Sequence, residues 1–116
     1  MHYQKEPHQE GKLVRCSKGA IFDVIVDIRP NSPTFCQWQG FELTEDDNLQ
    51  LYIGEGLAHG FQTLIDNSDV FYQMTEYYHP QSVAGVRYDD PCFSIQWPIE
   101  EKIIAEKDLN FADFVK

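Results

Sequence analysis

The sequence predicts an all-β domain, a sandwich or a barrel. Three observations carry this: short apolar runs punctuated by turn residues, one run of clean period two, and very little helical pattern. The period-two run is Ile21 to Ile28, I-F-D-V-I-V-D-I. Phe22, Val24, Val26 and Ile28 face one way, and Asp23 and Asp27 share the other face with Ile21 and Ile25. Successive side chains of an extended chain point to opposite sides, so this is the pattern of a half-buried strand. Further strand-like segments are Lys12–Cys16, Cys36–Leu43, Leu49–Ile53, His59–Ile65, Asp69–Glu76 and Phe93–Trp97. Between them stand Lys18-Gly19, Arg29-Pro30-Asn31-Ser32-Pro33, Gly54-Glu55-Gly56, Asp66-Asn67-Ser68 and Asp89-Asp90-Pro91, all residues that favour turns. Strands recurring at about 8–12 residues with such punctuation close into sandwiches or barrels. Helix is expected in two places: a single turn opened by Thr44 in Thr44-Glu45-Asp46-Asp47, and a short helix between Ala105 and Phe114.

A chain of 116 residues is long enough for one domain, so residues 1–116 are read as a single unit. Its 42% hydrophobic and 14% aromatic content supports a packed core, not disorder. Nineteen acidic against nine basic residues give a formal charge of −10, which repels nucleic-acid backbones and anionic lipid. A small nucleotide remains compatible, because a few placed cations suffice for a diphosphate. Cys16, Cys36 and Cys92 form an odd set without a CxxC pair, which points to free thiols in a reducing cytoplasm. The polar start, MHYQKEPHQE, has no signal-peptide core, and no apolar run approaches a membrane span.

Histidines are the first candidates for chemistry. His8 with Glu10, followed by His59 after the turn Gly54-Glu55-Gly56, outlines the two ligand motifs of metal-binding cupins. The usual His-x-His pair is missing, which weighs against a metal. A longer series of strings weighs more. His2-Tyr3-Gln4, Pro7-His8, Gly11-Lys12-Leu13-Val14-Arg15, Gly19-Ala20-Ile21-Phe22-Asp23-Val24 and Asp27-Ile28-Arg29 come first. Ser32-Pro33-Thr34-Phe35, Glu55-Gly56-Leu57-Ala58-His59-Gly60-Phe61 and Phe71-Tyr72-Gln73 follow. Glu76-Tyr77-Tyr78, Asp90-Pro91, Ile95-Gln96-Trp97-Pro98 and Glu106-Lys107-Asp108 complete the series. In this order and spacing they resemble the dTDP-4-dehydrorhamnose 3,5-epimerase family across nearly the whole chain.

The resemblance implies a cupin, or jelly-roll, barrel with a short C-terminal helix, working as a homodimer without metal or organic cofactor. It implies inversion at C3 and C5 of dTDP-4-dehydro-6-deoxy-D-glucose, a step toward dTDP-L-rhamnose. Physically, a base removes a proton beside the ketone, the enolate is stabilised, and an acid on the opposite face returns a proton. Residue by residue, His2 matches the family's base and Asp108 the carboxylate paired with it. Tyr72 matches the acid, and Lys12 a cation beside the 4-keto oxygen. His59 and Lys107 match contacts to the diphosphate, and Tyr78 the aromatic that stacks on thymine. An imidazole held by a carboxylate keeps one tautomer, and a phenol can donate to a centre as basic as a developing carbanion.

The chain departs from the pattern in two respects. Family members carry Arg-Gly-Leu ahead of His-Tyr-Gln, whereas here only Met1 precedes it, about a third of the way along the family's length. The missing arginine belongs to the nucleotide site, and the missing segment supplies strands that cross to the partner subunit. Val83 also stands where the family often has an acidic contact. The alternative functions are a 3- or 5-epimerase and a non-catalytic cupin that binds a dTDP-sugar. A third is a metal cupin built on His8, Glu10 and His59.

Overall fold

The computed structural model describes residues 1–100 and 102–116. The described residues form eight strands: β1 (His2–Gln4), β2 (Lys12–Lys18), β3 (Ala20–Asp27), β4 (Trp38–Thr44), β5 (Leu51–Ile53), β6 (Leu57–Thr63), β7 (Asp69–Met74) and β8 (Val83–Gly85). A one-turn 3₁₀ helix (Pro80–Ser82) precedes β8, and a short helix α1 (Glu106–Leu109) lies near the C-terminus. The strands make two antiparallel sheets, one ordered β4-β3-β6-β1-β8 and the other β5-β2-β7. Among the described residues, no helix is long and apolar enough to cross a membrane.

β3 is the centre of the larger sheet, paired with β4 through seven register positions and with β6 through seven more. Its expected half-burial is corrected: Ile21, Asp23, Val24, Val26 and Asp27 are all buried, so both faces are covered. One face carries Val24 and Val26, which pack with Met1, Ala58, Val86 and Phe93, flanked by Trp97 and Phe114 of the C-terminal segment. The other face turns toward the smaller sheet, where Ile21 and Leu43 meet Cys16, Leu51 and Val70. Period two remained visible because the acidic side chains are all on this inner-facing side. A strand between two layers need not alternate in polarity.

The turns follow their residues. Gly19, between β2 and β3, has φ +79°, and Gly56, before β6, has φ +82°, a region where a Cβ is strained. β4 runs on through Thr44 in place of the expected helical turn, because the Asp47 carboxylate accepts the Thr44 N–H at 2.8 Å and closes a turn after the strand. Phe93–Trp97 is not a strand. Buried Asp90 accepts the Cys92 N–H at 2.9 Å and the Phe114 N–H at 2.7 Å, and this loop folds its aromatics onto the outer face of the larger sheet. The C-terminal helix is four residues long, shorter than Ala105–Phe114, since Phe111 and Phe114 must reach His2 and Phe93. The three thiols are free. Cys16 is buried, and the Cys92 and Cys36 sulfurs stand 3.7 Å apart.

Asp27 organises the loop after β3. Its carboxylate accepts from Arg29 Nε and Nη2, both at 2.9 Å, and from the hydroxyls of Ser32 and Thr34, both at 2.5 Å. The strings Asp27-Ile28-Arg29 and Ser32-Pro33-Thr34 are therefore one hydrogen-bonded knot. The Arg29 guanidinium, helped by the two hydroxyls, holds the Asp27 carboxyl well below its ordinary 3.8. A lowered carboxyl pKa stabilises the fold above the unfolded value, and this stability is lost as pH falls below 3.8. Asp27→Asn is expected to cost about 2 kcal/mol at neutral pH, the scale of losing hydrogen bonds to a charged group. It should also flatten the loss of stability below pH 3.8. Urea unfolding of the two proteins across that range checks both.

Candidate active site

A cavity of about 520 Å³ opens between the two sheets. β1 and β6 bring His2 and His59 to it from the larger sheet, and β2 and β7 bring Lys12 and Tyr72 from the smaller one. Cross-strand register explains the grouping. His2 pairs with His59, so both side chains leave the same face. Tyr72 sits opposite Val14, and Lys12 lies two residues before Val14, so these also share a face. Asp108 reaches the rim from α1, while Trp97, Tyr88 and Lys102 complete the wall.

His2 Nε2 lies 2.7 Å from Asp108 Oδ1, across 106 residues of sequence. Partial burial pushes the His2 imidazole below its ordinary 6.5; Asp108 works against this, and Lys12 adds to the lowering. The outcome is an imidazole that is neutral near pH 7, oriented by a carboxylate. With Nε2–H directed at Asp108, the lone pair on Nδ1 is free. The ring also meets Phe111 edge-on, with centroids 5.9 Å apart.

Two other basic side chains at the cavity, His59 and Lys12, are held from behind. His59 Nε2 contacts Oδ1 of Asp23, which is 0% exposed, so a buried carboxylate sets the ring's orientation. Lys12 Nζ is 3.4 Å from Glu10 Oε1, and both side chains are largely buried. The second oxygens of both acids, Asp23 Oδ2 and Glu10 Oε2, are buried without a hydrogen-bond partner. Unpaired buried oxygens of this kind are costly. Asp23 had no assigned part in the sequence reading, and Glu10, read there as a candidate metal ligand with His8 and His59, instead braces Lys12. The signal for Asp23 was an acidic residue on the inner face of a core strand.

The structure thus gathers His2, Asp108, Lys12, Tyr72 and His59 around one cavity. It does not gather all the candidates. Tyr78 is 67% exposed and outside the lining, and Lys107 stands on the exposed side of α1 while Lys102 lines the cavity. His8, Glu10 and His59 do not converge as a donor set: Glu10 pairs with Lys12, His59 with Asp23, and His8 stacks on His79.

Two facing antiparallel sheets, with a histidine–carboxylate pair on one wall and a tyrosine on the other, define a cupin-type protein carrying acid–base groups in its barrel. The chain belongs to the dTDP-4-dehydrorhamnose 3,5-epimerase family, whose sequence profile matches residues 1–116. It is 43% identical over 115 residues to a dTDP-4-dehydrorhamnose 3,5-epimerase of Shigella flexneri, covering 99% of this chain and 64% of that protein. The crystal structure of a Bacillus anthracis str. Ames dTDP-4-dehydrorhamnose 3,5-epimerase with TDP and PPi bound superposes with a TM-score of 0.94 at 42% identity. That match covers 97% of this chain and 65% of that one. The Legionella pneumophila Philadelphia 1 dTDP-6-deoxy-D-glucose-3,5-epimerase, in complex with dTDP-4-keto-L-rhamnose, gives 0.87 at 44% identity, covering 92% and 57%. The chain therefore spans about three-fifths of the length of such relatives.

Proposed function

We propose that residues 1–116 act as one catalytic unit that epimerises C3 and C5 of dTDP-4-dehydro-6-deoxy-D-glucose to dTDP-4-dehydro-L-rhamnose, in the cytoplasm and without a cofactor. The observation that carries this is the placement of the His2–Asp108 pair and Tyr72 on opposite sheets about one cavity. His2 Nδ1 takes the proton from carbon, and Asp108 stabilises the imidazolium that forms. Lys12, steadied by Glu10, offers charge to the enolate oxygen at the 4-position. Tyr72 returns a proton from the other wall. His59 and Lys102 supply cationic or hydrogen-bonding contact for the diphosphate.

Solvent-deuterium incorporation into dTDP-4-dehydro-6-deoxy-D-glucose tests the proposal. Exchange at both C3 and C5 with inversion is expected. Exchange at one carbon alone would make the chain a single-position epimerase, and nucleotide binding without exchange would make it a binding protein.

The pH profile gives a second test. Its acid limb follows protonation of His2, so it should lie below 6.5. Asp108 raises the His2 pKa, so Asp108→Asn should move that limb to still lower pH while lowering the plateau rate. A limb that stays put or moves up would show that Asp108 does not act through His2.

We also propose that the chain works as a homodimer. β7 is an edge strand of the smaller sheet, and Phe71, Tyr72 and Met74 along it are all substantially exposed, while the opposite edge, β5, carries the exposed Tyr52. Edges with exposed apolar side chains pair readily. Light scattering at micromolar concentration should give a dimer or larger species; a clean monomer counts against this.

A further inference from the structure

Two histidines with no part in the cavity come together elsewhere. His8 lies in the turn after β1, and His79 immediately precedes the Pro80–Ser82 helix. Their rings stack with centroids 3.4 Å apart and planes 13° from parallel. Glu76 joins them, with Oε1 3.6 Å from His79 Nε2. One donor atom from each of the three residues lies within 4.8 Å of the others, and none of the three lines the cavity.

The backbone beneath this cluster is built to hold it. The buried side-chain amide of Gln4 donates to the carbonyls of His8 (2.7 Å) and Tyr77 (3.3 Å). The oxygen of the same amide accepts the His79 N–H at 2.9 Å. A single side chain therefore locks together two loops that are about seventy residues apart in sequence. Gly11 and Thr75 pin them again: the Gly11 N–H donates to the Thr75 hydroxyl at 2.8 Å, and the Thr75 N–H to the Gly11 carbonyl at 3.0 Å. The Glu76 carboxylate is steadied by the Tyr77 N–H at 2.7 Å.

Two imidazole nitrogens and one carboxylate oxygen, half-buried and held on braced backbone, make a donor set for a borderline divalent cation. Magnesium and calcium prefer all-oxygen shells, whereas imidazole suits zinc and its neighbours. We propose that His8, Glu76 and His79 form a zinc-class binding site separate from the epimerase cavity. The three residues would fill three positions of a tetrahedron and leave the fourth to water. Bonds of about 2.0–2.1 Å bring tetrahedral donors to about 3.3 Å apart, so the cluster contracts on binding. Parallel rings aim their lone pairs side by side, so one imidazole must also turn about its Cβ–Cγ bond. Partial exposure of all three side chains leaves room for both movements. Because Glu76 and His79 bracket the exposed Tyr77 and Tyr78, a bound ion would tether the segment between β7 and β8.

Calorimetric titration of zinc chloride into the full chain tests this, with magnesium chloride as the comparator and cobalt(II) absorption as the geometric probe. The expected result is one zinc per chain, no response to magnesium, and a cobalt spectrum of tetrahedral intensity. His8→Ala, His79→Ala and Glu76→Gln should each weaken zinc binding at least about tenfold, the lower end of what disturbing a metal's ligand shell costs. His2→Ala and Cys92→Ser should leave it unchanged, because those alternative donors lie elsewhere. Circular dichroism checks that each variant is folded, and His79→Gln replaces His79→Ala if it is not. Absence of stoichiometric zinc binding overturns the proposal. So does binding that survives loss of His8 and His79, or that disappears with His2 or Cys92. None of these readouts depends on epimerase activity.

Discussion

Replacing His2 with alanine is expected to lower deuterium incorporation at both C3 and C5 by about 10²–10⁴-fold, the usual contribution of a positioned acid or base. Among the described residues, the other basic side chains at the cavity are already engaged: His59 by Asp23, Lys12 by Glu10 and Lys102 by the Glu100 carbonyl. The fold should survive, because the His2 side chain is 43% exposed and β1 is held through its backbone to β6 and β8. A melting temperature close to that of the parent, with exchange lost, is therefore the expected pair of results. Equal exchange in parent and variant would show that another group abstracts the proton.

Tyr72→Phe is expected to separate exchange from inversion. Its hydroxyl is the part proposed to deliver a proton from the smaller sheet, and the side chain is 51% exposed, so removing one oxygen leaves packing nearly intact. His2 still forms the enolate, and the proton can return from the side it left. Deuterium should then enter C3 while net inversion falls by about 10²–10⁴-fold. Parallel loss of exchange and inversion would place Tyr72 in the abstraction step; unchanged inversion would remove it from the mechanism. NMR of the recovered sugar nucleotide, resolving label position and configuration, distinguishes these outcomes.

Much of this architecture was legible in the residues. Turn chemistry at Gly19 and Gly56 and the alternation in Ile21 to Ile28 located β3 and its neighbours, because backbone conformation and side-chain period are local properties. β8 escaped notice as a regular strand since three residues carry no usable period, and pairing across the sheet defines it. Phe93–Trp97 read as a strand on its aromatic content, yet Asp90 turns it into a loop whose rings serve the core. The motif strings divide in the same way. Those around Asp27 and Asp90 are explained by loops they tie, while those around His2, Lys12, His59, Tyr72 and Asp108 converge on the cavity.

The sequence by itself determined the all-β class, the acidic surface, the free cysteines and the kinds of residue available for acid–base chemistry. Each of these follows from composition, local period or the order of short motifs. The resemblance implied that His2 pairs with Asp108, but only the tertiary structure supplies the contacts themselves. The approach of His2 to Asp108 depends on where α1 lands after the whole barrel has formed, and no local signal encodes a contact across 106 residues. The same holds for Asp23 behind His59, for Lys102 at the cavity wall where Lys107 was expected, and for His8 beside His79. In each case the deciding quantity is cross-strand register and loop path, which arise from packing two sheets together and not from any stretch of chain alone.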